Sequence, residues 1–93
     1  MSVSEKHLED LYELFASVES EKEAELLLKD ILTPAELESL AERWQLIKQL
    51  NSGKPQRDIA KDLGISISKI TRGSQMLQYG EGGFCHFLNK VEK

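Results

Sequence analysis

The sequence predicts an all-α fold of about six short helices. Apolar residues recur at three- and four-residue spacing along nearly the whole chain, no segment alternates for long, and β-branched residues are few. At 93 residues there is room for one domain, residues 1–93. A chain this short buries only about two-thirds of the surface that its unfolded form exposes. It is expected either to fold as a very compact bundle or to borrow core from a partner subunit.

Leu8, Leu11, Tyr12, Leu14, Phe15 and Val18 lie at helical spacing and predict a first amphipathic helix over about 4–18. Ser20 can cap a shorter second helix through Ala24, Leu27 and Leu28. Thr33-Pro34-Ala35-Glu36 marks a third start, with a hydroxyl at the N-cap, proline at the first helical position, and Glu36 closing a capping box. That helix carries Leu37, Leu40, Ala41, Trp44, Ile47 and Leu50 and should stop near Asn51-Ser52-Gly53. A fourth, over about 56–63, turns Ile59 and Leu63 inward and keeps Ala60 small where the next helix crosses. Gly64 supplies the left-handed residue that turns the chain. Ile65 then plugs the corner, Ser66 caps the fifth helix, and Ile70 returns to the shared core. Apolar, alanine, apolar, glycine, apolar, then apolar five further on is the pattern of a helix-turn-helix, here at about 56–77. Gly80 to Gly83 read as a loop before a last helix with Phe84, Phe87, Leu88 and Val91. A phosphate-cradling loop is the alternative for those glycines, but the Lys-Ser/Thr that should follow is missing.

The net charge of −4 looks wrong for a nucleic-acid binder, yet it is unevenly spread. Residues 1–42 hold three basic and twelve acidic side chains, a net of −9. Residues 43–73 hold Arg43, Lys48, Lys54, Arg57, Lys61, Lys69 and Arg72 against Asp58 and Asp62, a net of +5. The last twenty residues balance at two against two. The basic third is the candidate electrostatic footprint, and the acidic third a solvated, dimer-forming half. Chance segregation along amphipathic helices is the alternative.

Other classes are excluded by what the chain lacks. Its longest apolar stretch, Leu26 to Leu28, is far short of the roughly 20 residues of a membrane span. Met1 to Glu9 carry no apolar run of the secretory kind. Cys85 is a single cysteine, and with His7 and His86 it makes no credible metal set. No nucleophile is paired with a base, so an enzyme and a cofactor are not expected. The expected setting is the reducing cytoplasm, without membrane contact.

The outward residues of the helix-turn-helix suggest double-stranded DNA as partner. Ser68, Lys69, Thr71 and Gln75 are small or polar groups suited to base edges in the major groove. Gln56 and Arg57, starting the preceding helix, can reach phosphates. An αα-hairpin in a non-DNA helical interaction module is the competing reading. Gly73 breaks the generic pattern, since this position usually buries an aliphatic side chain. Mid-helix glycine costs about 1 kcal/mol relative to alanine. Either it leaves a void, so that Arg72 and Arg43 wall a slot for a flat aromatic carboxylate, or it marks a close helix contact.

With these residues the sequence resembles the Trp repressor family. The likeness is carried over about 32–77 by Leu32-Thr33-Pro34, Arg43, Gln56-Arg57 and Ile70-Thr71-Arg72-Gly73-Ser74. The resemblance implies an intertwined homodimer that binds operator DNA as a repressor when L-tryptophan, its corepressor, lies between reading head and dimer core. It implies that Arg43 and Arg72 sandwich the indole, with Arg72 also pairing with the carboxylate. Thr33 would sit by that carboxylate, the Leu32 carbonyl would accept from the ammonium, and Gly73 would leave room for the ring. Gln56, Arg57, Ile67, Ser68, Lys69 and Thr71 would face DNA.

Three positions depart from the family's pattern. Met76, in the effector set, stands where tryptophan-responsive members hold the ammonium with a serine, and a thioether is a weak replacement. Lys69 replaces a small residue of the reading head. Tyr79 to Phe84 resembles a wider set of Trp repressor-like proteins without an established effector. A DNA-binding regulator that is constitutive, or answers a different effector, is therefore the alternative to tryptophan gating.

Overall fold

The computed structural model describes residues 2–91. These form six helices and no strand: α1 Val3–Ala16, α2 Glu21–Ile31, α3 Pro34–Asn51, α4 Gln56–Leu63, α5 Ile67–Tyr79 and α6 Gly83–Val91. The all-α expectation holds, and α2, α3 and α5 start where their caps put them. Ser20 accepts from the Glu23 amide at 3.1 Å. Thr33 and Glu36 bond reciprocally: the Thr33 amide donates to Glu36 Oε1 at 2.8 Å, and the Glu36 amide donates to Thr33 Oγ1 at 3.1 Å. Such a box satisfies two amides that a helix start otherwise leaves open. An unforeseen capping box at Ser2 and Glu5 starts α1, which ends at Ala16, short of the expected residue 18.

The chain divides into two units, Met1–Leu37 and Glu38–Lys93. In the first, neither α1 nor α2 buries a single residue. Leu8, Leu11, Tyr12, Leu14 and Phe15, the apolar stripe of the first helix, are exposed. The helix is amphipathic as expected, but its apolar side is uncovered in the single chain.

In the second unit, Leu46 of α3, Ile59 of α4 and Ile70 of α5 make a buried cluster. Leu50, Ala60, Leu63 and Ile65 pack around it. Ala60, Ile65 and Ile70 thus do what the helix-turn-helix spacing requires of them. Trp44 of α3 stacks on Phe84 at 6.3 Å between ring centroids, which pins α6, and Leu88 is buried. At the α3–α4 turn, Lys54 Nζ lies 2.9 Å from Asp62 Oδ2, and Gln49 Nε2 donates to the same oxygen at 3.1 Å. The lysine first, then the amide, holds the Asp62 carboxyl below its ordinary pKa.

Candidate functional site

The reading head is built from α4, its turn and α5. Gly64 ends α4 at φ 65° and ψ 35°, in the left-handed region where a Cβ is costly. Its amide donates to the Ala60 carbonyl. Two residues later Ser66 starts α5, accepting from the Lys69 amide at 3.2 Å. With Ile59 and Ile70 wholly buried, the crossing of the two helices is fixed from inside. Their other faces are left to solvent: Gln56, Arg57, Ile67, Ser68, Lys69, Thr71 and Gln75 are all exposed. Gln56 and Arg57 start α4, and Ser68, Lys69, Thr71 and Gln75 lie on α5. Ile67 is an apolar member of this face, 51% exposed, which suits contact with a thymine methyl or sugar.

One lysine of this face is already engaged. Lys69 Nζ lies 3.3 Å from Oε1 of Glu42 on α3. Glu42 has no place in a motif read along the chain, because the pair spans 27 positions.

The expected effector residues fall in both units. Leu32, the C-cap of α2, and Thr33 belong to the first; Arg43, Arg72, Gly73 and Met76 belong to the second. Arg43 lies three residues before Leu46, on the side of α3 that meets α5. Arg72 and Met76 are one turn apart on α5. Both guanidiniums are exposed, and neither has an ion pair among the described residues. Met76 is 52% exposed.

Of the two readings of Gly73, the packing on its inner side is that of a close helix contact. Gly73 is buried, and a Cβ built on it would lie 2.7 Å from Leu46 Cδ2 and 3.5 Å from Leu50 Cδ1. The missing side chain lets α5 approach α3, and leucines fill the space.

Among the described residues there is no group of three or more His, Cys, Asp or Glu that could hold a metal, and no helix long and apolar enough to cross a membrane. Cys85 is exposed and its thiol donates to the Leu77 carbonyl at 3.6 Å.

Known proteins match most of the chain. Residues 6–92 match the Trp repressor protein family. This chain belongs to the Trp repressor family. Family members are regulatory DNA-binding proteins and not enzymes. The chain is 39% identical over 87 residues to a Trp operon repressor homolog of Xylella fastidiosa, covering 92% of each protein. It is 36% identical to a Trp operon repressor homolog of Chlamydia trachomatis, covering 92% of this chain and 76% of the relative. Among solved structures, a TrpR like protein from Eubacterium eligens matches with a TM-score of 0.87 at 28% identity, over 94% of this chain and 90% of that one. The Trp repressor fold thus extends over both units, including the uncovered α1.

Proposed function

We propose that this member of the Trp repressor family is a sequence-specific transcriptional repressor that binds operator DNA as a homodimer, with L-tryptophan as corepressor. The observation that carries the reading is the helix-turn-helix: a buried Leu46–Ile59–Ile70 crossing, a left-handed Gly64, and a polar outer face on α5. The +5 segment over residues 43–73 supplies the local field that DNA needs, despite the overall −4. A second chain is the natural cover for α1. In the dimer the effector acts by population shift, binding better to the state whose two reading heads stand about one turn of B-DNA apart, about 34 Å.

The test is fluorescence anisotropy on duplexes selected from a random pool, with L-tryptophan varied from micromolar to millimolar. Affinity is expected to rise with tryptophan, and Arg72→Ala to abolish the response while leaving ligand-free binding measurable. Duplex binding that is equal with and without tryptophan overturns the corepressor part.

Met76 favours a second reading, a constitutive or differently gated repressor. Its half-exposed thioether offers no donor and only a weak acceptor to an ammonium group. In that case Met76→Ser gains a tryptophan response that the natural chain lacks.

A further inference from the structure

Lys69 occupies the third helical position of α5, in the first turn of the helix that reads DNA. That turn holds no acidic residue, and a cation there opposes the positive end of the helix dipole. The charge is answered from another helix instead. Glu42 reaches across from α3, and its Oε1 lies 3.3 Å from Lys69 Nζ. The side chains are 64% and 39% exposed, so the pair adds little to stability and can be broken by an incoming anion. It is the only ion pair between α3 and α5 among the described residues. Arg57 and Arg72, on the same helix-turn-helix, have no acidic partner there. One cation of the reading head is neutralised while these two stay open.

We propose that Glu42 is an internal competitor for DNA phosphate, occupying Lys69 so that the reading head grips any duplex less tightly than its basic residues would allow. This rests on the DNA-binding function proposed above and goes beyond it by giving a role to a residue of the scaffold helix. A phosphate that takes Lys69 must displace the carboxylate, so the gain is a difference between two pairs. Arg57, with no acidic partner to displace among the described residues, carries the full phosphate term. The effect is strongest on non-specific binding, which depends on phosphate charge alone.

The experiment measures affinity for a random-sequence duplex against salt for the natural protein, Glu42→Gln, Lys69→Met and the double variant. Glu42→Gln is expected to bind about two- to fivefold tighter, the scale of an exposed ion pair. Its log–log salt slope should steepen by up to about 0.9, one more phosphate neutralised. Lys69→Met alone should cost less than it does in the Glu42→Gln background, where it removes the whole gain. Glu38→Gln removes a charge one turn earlier on α3 that has no basic partner among the described residues, and should give a smaller gain that survives Lys69→Met. In the DNA-free protein, Glu42→Gln should shift the Lys69 side-chain NMR resonances. No gain on Glu42→Gln, or a gain that persists without Lys69, overturns the proposal while natural-protein binding leaves the DNA reading intact. Absence of salt-dependent duplex binding by the natural protein overturns both, whatever the NMR shows.

Discussion

A methyl group on Gly73 would meet Leu46 Cδ2 at 2.7 Å and Cγ at 3.2 Å, inside a cluster where Leu46 is itself buried. Replacing glycine by alanine in a helix gains about 1 kcal/mol of propensity. Overpacking a closed core costs about 1–3 kcal/mol. The second effect wins, because Leu46 is enclosed by its cluster and its Cδ2 has little room to swing into. Gly73→Ala should therefore lose about 1 kcal/mol of stability in urea denaturation. Leu46→Ala alone should lose about 2–5 kcal/mol by opening a cavity. In the double variant the new methyl group enters that cavity, so the loss should be smaller than the sum of the two. An additive result would mean that the residues do not share the space. The sequence announced that Gly73 was unusual but left two meanings for it, because a missing side chain looks the same whether a ligand or a leucine replaces it. Lys69 shows the same limit. Its exposure follows from helical spacing, whereas its partner Glu42 depends on how α3 and α5 cross.

Helix ends were far more legible than helix partners. A cap is a local bargain between neighbouring residues, so Ser20, Thr33, Gly64 and Ser66 could be assigned from four-residue windows. The capping box at α3 also makes a pH prediction. Hydrogen bonds from the Thr33 backbone amide, then from its side chain, hold the Glu36 carboxyl below its ordinary pKa. A carboxyl whose pKa falls on folding contributes fully above its unfolded value, and the contribution fades as pH drops through the folded one. The first turn of α3 should therefore loosen in acid. Glutamine completes the same box without titrating, so Glu36→Gln should flatten this part of the acid limb in circular dichroism titrations. A limb unchanged by the substitution would assign the acid sensitivity to other carboxylates, with Asp62 and its Lys54 partner the next to test.

Taken over the whole chain, the two units differ in what encloses their apolar residues. The second has its own core in Leu46, Ile59 and Ile70, supplemented by Leu88 and the Trp44–Phe84 stack. The first leaves the α1 stripe open, with Tyr12 63% and Phe15 44% exposed. This contrast was legible only in part: helical periodicity identified the stripe, but periodicity is the same whether the cover comes from one chain or two. Length supplied the missing term, since a small chain with long apolar helices has too little of itself to cover them. An uncovered stripe of Leu8, Leu11, Tyr12 and Phe15 is larger than the scattered apolar residues of an ordinary surface. A second copy that buries it would gain about 1.5–3 kcal/mol for each large side chain removed from water. Folding is then coupled to association, and the melting temperature should rise with protein concentration. Sedimentation should give twice the monomer mass at micromolar concentration. Leu11→Glu with Phe15→Glu puts charges at the middle of the stripe and should shift the protein to monomer, lower its melting temperature, and remove the concentration dependence. On the proposed reading of a dimeric repressor, one reading head would hold half of a two-fold operator, so the same variant should lose tight operator binding but keep weak, salt-sensitive affinity for any duplex. A monomeric natural protein with a concentration-independent melting point would defeat this assignment of α1, and the cover for its apolar face would have to be sought elsewhere.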